Sequence, residues 1–288
     1  MGKDLAQNAT ERVKKIVERI QETTAMTAYQ LTIVQDSQPN IFDSKFGGVP
    51  YWDLTSAYPV DANGEKMMLL AQINFTAAEL EDERLPQEGM LQFFISADDD
   101  CYGIDWDESD SQKNFRVIYH EAINSSVTEE DVLDLDIPVA TDKSDYSEFT
   151  PVFKEARVEI TKKTVWLGTE VCHFDKIFAQ TVKEVLGEDI KDQNYYKYLD
   201  EAERDYLYNV LSNAGHWLLG YPYFTQGDPR EYREDTCYDT LLFQMDSDAI
   251  GREDYVLWGD CGVANFFINK EALKNKDFSK VMYTWDCC

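Results

Sequence analysis

The residues Leu69 to Asn74 read LLAQIN, and 172 positions later Leu241 to Asp246 read LLFQMD. Each run is short and apolar, which is typical of a strand that is buried on both faces. Each run also carries a glutamine at its fourth position. Such self-similarity predicts two sheet-forming units of the same design.

Two further blocks recur in the same order around these strands. A Gly-x-Pro turn precedes each strand and an aromatic strand follows it, at offsets of 172 and 173 residues. Three blocks in one order predict an internal duplication, with units at about residues 44–120 and 216–285. The flanking blocks are Gly48-Val49-Pro50 with Gly220-Tyr221-Pro222, and residues 89–95 with residues 262–268.

The segment between the two units is helical in pattern. Residues 174–213 show apolar side chains at helical spacing, Gly187 is suited to end one helix, and Asp200 is suited to cap the next. Because the helices are grouped instead of alternating with strands, we expect the α+β class. Further helices are predicted at residues 8–23, capped by Asn8, and at residues 270–276.

Other segments alternate apolar and polar residues in the manner of half-buried strands. Residues 115–119 and 156–160 both follow this pattern, and the apolar run at residues 90–95 predicts a buried strand. Residues 128–150 are acidic and contain Pro138, so we expect a surface excursion there.

Charge excludes several classes of partner. The 288 residues include 27 Lys and Arg against 55 Asp and Glu, a formal net charge of −28, while aromatics make up 13%. That aromatic content argues against a disordered acidic chain. Nucleic acids and anionic membranes need clustered cations. With no signal-like start and no apolar run of about 18 residues, we expect a cytoplasmic protein.

The repeated blocks resemble the YwqG-like family, a bacterial family named as a domain of unknown function. The resemblance covers nearly the whole chain from about residue 40, and it implies a single α+β domain over residues 1–288 with internal duplication. It supplies no catalytic residues to carry over. Some members are encoded among bacterial toxin and immunity genes, which implies a binding role. The carrying blocks are residues 47–50, 69–74, 85–94, 219–222, 241–246, 258–262, 266–268 and 277–279, with Trp285.

Histidine and cysteine give no catalytic or zinc pattern. His120, His173 and His216 are far apart, and Cys172-His173 are chain neighbours that seldom form a nucleophile–base pair. The six cysteines form no C-x-x-C pair, so we expect reduced thiols. No phosphate-loop, nucleophile-elbow or dinucleotide motif is present, and we predict no cofactor. The cysteines are at positions 101, 172, 237, 261, 287 and 288.

An acidic run at residues 98–105 invites a calcium interpretation. Counted from Asp98, the fifth and twelfth positions of an EF-hand loop hold Tyr102 and Ser109, so the bidentate glutamate is missing. An irregular divalent-ion site and an ordinary acidic loop both remain open, and we predict no metal.

Polar residues inside the apolar strands are the candidate ligand-binding residues. Gln72 and Gln244 need hydrogen-bond partners if they are buried. Either each amide bonds a neighbouring loop of its own unit, or both line one cleft between the units. The full candidate set for such a cleft is Gln72, Asn74, Gln244, Asp246, Asp260 and His216.

We therefore expect a non-catalytic acidic protein that captures a protein partner, with an immunity-type inhibitor of a basic toxin as the specific hypothesis. The alternative is a small-ligand-binding protein or enzyme with a cleft between the units. A third possibility is a scaffold whose acidity only maintains solubility. The acidic candidates for partner binding are Asp98, Asp99, Asp100, Asp105, Asp107 and Glu108.

Overall fold

A computed structural model describes residues 10–97, 99–139, 150–232 and 237–288. These residues form a mixed α/β fold with seven helices and twelve strands. The helices are α1 (Glu11–Thr24), α2 (Phe75–Ala78), α3 (Glu129–Leu133), α4 (Phe174–Leu186), α5 (Tyr195–Tyr198), α6 (Glu201–Leu211) and α7 (Lys270–Lys274). The strands are β1 (Met26–Ile33), β2 (Lys45–Phe46), β3 (Met68–Asn74), β4 (Met90–Ile95), β5 (Phe115–His120), β6 (Ala156–Val165), β7 (His216–Leu218), β8 (Thr240–Asp246), β9 (Asp248–Ile250), β10 (Glu253–Val256), β11 (Val263–Ile268) and β12 (Val281–Asp286).

Ten of these strands form one antiparallel sheet in the order β12-β11-β8-β7-β1-β6-β2-β3-β4-β5. We call β2 to β5 the first wing, and β7, β8, β11 and β12 the second wing. Between the wings, β1 and β6 pair over eight positions, from Met26 opposite Val165 to Ile33 opposite Val158. β9 and β10 form a separate hairpin.

The sheet curls until its two wings pack against each other. The ring of Phe93 in the first wing lies 4.6 Å from that of Phe243 and 4.9 Å from that of Phe266 in the second wing. The edge strands approach as well, because the rings of Phe115 and Tyr283 are 5.1 Å apart. The result is a nearly closed antiparallel sheet around an aromatic core, with a seam between β5 and β12.

The predicted helices are confirmed in type and place. Gly187 ends α4 with φ of 73°, a left-handed conformation that glycine adopts without strain. Asp200 caps α6 in a reciprocal capping box with Glu203. The predicted cap of the first helix, Asn8, lies outside the described residues, and Thr10 caps α1 instead.

The acidic stretch at residues 128–150 is more than a surface excursion. Thr128 and Asp131 form a capping box that starts α3, and Val132 on that helix is fully buried. The sequence analysis did not predict this helix, because the acidic charge and Pro138 favour a loop and only the capping residues Thr128 and Asp131 indicate a helix. Residues 140–149 lie outside the described part of the chain.

An ion pair between the partly exposed Arg12 and the buried Glu203 fastens α1 to α6. The carboxylate of Glu203, with a side chain 1% exposed, accepts hydrogen bonds from Arg12 Nε at 2.9 Å and Nη2 at 2.7 Å, and a third from the Thr10 hydroxyl. The Arg12 hydrogen bonds lower the pKa of Glu203 to about 2. Because this pKa is depressed in the folded state, the pair stabilises the fold above the ordinary glutamate pKa, and the contribution is lost as the pH falls toward 2.

We predict that Glu203→Gln lowers the free energy of unfolding by about 2 kcal/mol near neutral pH, since the buried carboxylate loses its charge-assisted hydrogen bonds to Arg12. In urea unfolding followed from neutral pH downward, this difference should shrink below about pH 4.5. Glu184→Gln is the matched control, because Glu184 pairs with Arg19 on the exposed surface. A cost that stays constant with pH, or an equal cost for the control, would contradict the assignment.

Candidate partner-binding site

Gln72 of β3 is fully buried and bonds the backbone on three sides. Its Oε1 accepts from Tyr51 N at 3.0 Å, and its Nε2 donates to Ile41 O at 2.9 Å and Asp43 O at 2.8 Å. A buried amide with these partners is satisfied. Gln72 therefore ties the chain on both sides of β2 to its own wing.

Gln244 of β8 makes the same contacts in the second wing. Its Oε1 accepts from Tyr223 N at 2.8 Å, and its Nε2 donates to Asn213 O at 2.9 Å and Gly215 O at 2.8 Å. The prediction that each glutamine bonds a neighbouring loop of its own unit is confirmed. Because these backbone groups occupy both amides, neither glutamine is available to line a shared cleft.

Asn74 and Asp246 end their strands in corresponding ways. Asn74 N donates to Ser44 Oγ at 2.9 Å, and Asp246 N donates to His216 Nδ1 at 3.1 Å. Asn74 Nδ2 donates to Phe42 O at 2.8 Å, whereas Asp246 Oδ2 accepts from Gly215 N at 2.6 Å. The two side chains thus bond corresponding peptide groups in the two wings: the Asn74 amide bonds the carbonyl oxygen, and the Asp246 carboxylate bonds the N–H group.

His216 is 2% exposed and has a structural role. Its Nδ1 accepts a backbone hydrogen bond, so the hydrogen-bond network assigns the proton to Nε2, which faces Asp248 Oδ2 at 3.3 Å. This contact lowers the pKa of Asp248. Burial raises the pKa of Asp246. Of the candidate cleft residues, only Asp260 is exposed.

Cys172 and His173 do not form an activated nucleophile. The distance from Cys172 Sγ to His173 Nδ1 is 3.9 Å. Desolvation, helped by the nearby carboxylate of Asp228, raises the pKa of the Cys172 thiol to about 11. Because the thiolate is the reactive form, a thiol that stays protonated near neutral pH is not activated for attack.

The acidic run after β4 folds into turns that use part of its charge. Asp98 lies outside the described residues. Asp99 accepts hydrogen bonds from Cys101 N and Gly103 N, both at 2.9 Å. Asp105 Oδ1 accepts hydrogen bonds from Asp107 N at 3.1 Å and Glu108 N at 2.9 Å. Asp99, Asp100 and Cys101 bring ligand atoms within 4.8 Å of one another. Since Asp99 is engaged by the backbone, this geometry is that of a turn.

Residues 99–113, which we call the seam loop, are anchored across the seam to the second wing. Tyr283 N donates to Ser109 O at 2.9 Å, and Tyr283 Oη donates to Tyr102 O at 2.9 Å. Trp285 Nε1 donates to Cys101 O at 2.8 Å. The Tyr102 ring also packs on Trp285 and on Trp258, at 5.1 and 5.6 Å. The loop is therefore anchored at three of its residues, Cys101, Tyr102 and Ser109.

Trp106 is the exposed aromatic residue of this anchored loop. Its side chain is 70% exposed, and the adjoining Asp107 and Glu108 are exposed as well. Exposed Asp100 is on the same loop, and exposed Asp260 follows Trp258 on the turn that packs against Tyr102. We call these five residues the Trp106 surface: Trp106, Asp100, Asp107, Glu108 and Asp260.

A pocket of about 220 Å³ opens beside Trp106, with Trp285, Phe224 and Asp286 among its lining residues. Asp286 Oδ2 accepts from Thr225 N at 2.9 Å and Gln226 N at 2.6 Å. Burial nevertheless raises the pKa of Asp286. A carboxylate beside two indole rings offers an ion-pair partner and cation–π faces to a positively charged group.

Comparison with known families identifies the family of this chain. A family model described as a domain of unknown function, DUF1963, matches residues 44–287. The chain belongs to the DUF1963 family. The match spans both wings and the helices between them, and the expectation of an uncharacterised family is confirmed. None of the curated proteins compared with this DUF1963 chain matches it.

Among the described residues, no helix combines the length and the apolar character needed to cross a bilayer.

The sequence indicated the acidic loop of this DUF1963 domain but not its aromatic anchor. Trp106 lies between Asp105 and Asp107 and alternates with Tyr102 and Ile104, which both pack into the core. This alternation therefore offered no signal that Trp106 is exposed. The pocket at Asp286 had no signal, since its walls come from three segments that are separate in the chain, at residues 106, 224–229 and 284–287.

We predict that Gln72→Leu and Gln244→Leu each lower the free energy of unfolding by about 3 kcal/mol, because each leaves three backbone groups unpaired. Urea unfolding should give similar costs for the two variants. Gln38→Leu, at an exposed position, is the control and should change stability by less than about 0.5 kcal/mol. A small loss of stability at either buried glutamine would contradict the conclusion that these side chains hold the neighbouring loops.

Proposed function

We propose that this DUF1963 domain is a non-catalytic binding protein that captures a basic protein partner through the Trp106 surface. The observation that carries the proposal is Trp106 itself, 70% exposed on a loop anchored across the seam. Tryptophan is enriched among the residues that dominate binding energy at interfaces. Because the loop is held in place, little ordering entropy is lost on binding.

The charge of the chain supports the same proposal. A net charge of −28 attracts a basic partner over a long range and speeds its encounter. At the surface, Lys or Arg side chains of the partner meet the carboxylates of Asp100, Asp107 and Asp260 and the Trp106 ring. Such an interface associates fast at low salt and weakens as salt rises.

The resemblance to the YwqG-like family supports a more specific role. We infer an immunity-type inhibitor of a basic toxin, acting in the cytoplasm of a bacterium. The matching contacts of Gln72 and Gln244, at a constant offset of 172 residues, support the inference that the two wings arose by internal duplication. We prefer capture to a ligand cleft between the units, since backbone contacts occupy the buried candidates for that cleft.

We predict that Trp106→Ala weakens capture of the partner at least about tenfold, as loss of a central aromatic anchor does. The measurement is affinity capture from native lysate with the tagged protein, washed at about 50 mM and at about 500 mM salt. Wild-type protein should retain a stoichiometric basic partner only at the lower salt.

Tyr196→Ala is the matched control, because Tyr196 is 60% exposed and lies on α5, which does not line the pocket beside Trp106. It should capture the partner as the wild type does. If Trp106→Ala captured the partner as well as the wild type does, the partner would bind elsewhere on the protein. If the wild-type protein captured no partner at low salt, the proposal would be overturned.

A further inference from the structure

Two cysteines meet at one end of the hairpin that β11 and β12 form. Cys261 Sγ and Cys288 Sγ are 3.5 Å apart, within hydrogen-bond distance for two thiols. Both are free thiols and both residues are exposed. A reagent dissolved in water therefore has access to two sulfur atoms that already touch each other.

The strand register explains why these two residues meet. β11 and β12 are antiparallel, with Val263 opposite Asp286 as the outermost pair. Cys261 precedes Val263 by two residues and Cys288 follows Asp286 by two, so the same register continued beyond the strands sets the cysteines opposite each other. Opposite residues in an antiparallel pair have Cα atoms about 4.5–5.5 Å apart. A disulfide requires a separation in this range, and its formation is left to rotation of two exposed side chains.

Two further cysteines close to this hairpin have other neighbours. Cys101 Sγ lies 3.5 Å from Asp100 Oδ1. Cys287 Sγ lies against Gly259, where a β-carbon would be 2.7 Å from the sulfur. The contacts and the register therefore favour the pairing of Cys261 with Cys288.

A bond between these cysteines would fasten an edge of the sheet. β12 is the last strand of its wing, and among the described residues only β11 pairs with it. Strand ends that are held on one side open more readily than the interior of a sheet. A covalent link just beyond the outermost pair closes a loop around the 26 intervening residues and opposes this opening.

We propose that Cys261 and Cys288 are a redox modification site, which a small-molecule disulfide converts to a cross-strand disulfide. The thiolate of one cysteine attacks a sulfur of the small disulfide, which forms a mixed disulfide and releases one small thiolate. The thiolate of the other cysteine attacks the protein sulfur of the mixed disulfide and releases the second small thiolate.

The exchange balances without a further reactant. Two protein thiols are oxidised, one small disulfide is reduced to two thiols, and the two protons of the cysteines pass to the released thiolates. Exposed disulfides are readily reduced, so an excess of small thiol reverses the modification. The inference is independent of the proposed protein capture.

The test is incubation of the full chain with oxidised glutathione at about pH 8.5. This pH is chosen because the hydrogen bond with Cys288 raises the pKa of Cys261, and the thiolate is the attacking form. Intact-mass spectrometry should show a chain lighter by two hydrogen atoms, exceeding the glutathione adduct at least about tenfold because the second attack is intramolecular. Trypsin should then release residues 253–270 joined to residues 281–288, and dithiothreitol should separate them. A lasting glutathione adduct or a link between two chains would overturn the proposal.

Variants assign the pair. Cys261→Ser and Cys288→Ser should each stop at the glutathione adduct, since the second thiol is absent. Cys287→Ser is the matched control, because it removes the neighbouring thiol from the same tryptic peptide and should still lose two hydrogen atoms. Loss of two hydrogen atoms in Cys261→Ser or Cys288→Ser, or its absence in Cys287→Ser, would refute the pairing.

Thermal unfolding tests the fastening of β12. The oxidised wild type should have a Tm about 5 °C higher than the reduced protein, because the closed loop restricts the unfolded chain. Dithiothreitol should abolish the gain, and Cys288→Ser treated in the same way should show none. An unchanged Tm in the fully oxidised wild type would contradict the fastening role.

Discussion

The contact between the inner faces of the two wings is the interaction on which the rest of the structure depends. Phe93 of the first wing packs against both Phe243 and Phe266 of the second, and packing these rings requires the sheet to curl almost into closure. Curling brings the edge strands β5 and β12 together without pairing them. The seam between them must then be covered, and the loop at residues 99–113 covers it. The Trp106 surface lies along this seam.

The outer faces of the wings impose a second constraint. Loops cover them, and the buried backbone groups of those loops need hydrogen-bond partners. Gln72 and Gln244 provide these partners with the same three contacts in each wing. Polar residues in the middle of apolar strands therefore serve the fold here, and the proposed binding surface is at the seam, where the sheet does not close.

Local features were predictable from the sequence, because local physics decides them. The apolar run at residues 90–95 is a buried strand, Gly187 ends a helix, and Asp200 caps the next. The pairing of β1 with β7 and of β6 with β2 was not predictable, because each strand lies beside the wing that is distant in sequence. The packing across the seam had no signal for the same reason: Tyr119 and Phe278 are 159 residues apart and meet only when the sheet has curled.

The central claim is that a basic partner meets the protein at Trp106. Fluorine NMR of protein labelled with fluorotryptophan tests it most directly. The chain has six tryptophans, and all of them except Trp106 are buried or partly buried. A Trp106→Phe sample assigns its resonance. On addition of an arginine-rich peptide at low salt, the account predicts a shift of the Trp106 resonance, reversed by salt, while that of buried Trp52 stays fixed. Binding of the peptide with an unmoved Trp106 resonance would contradict it.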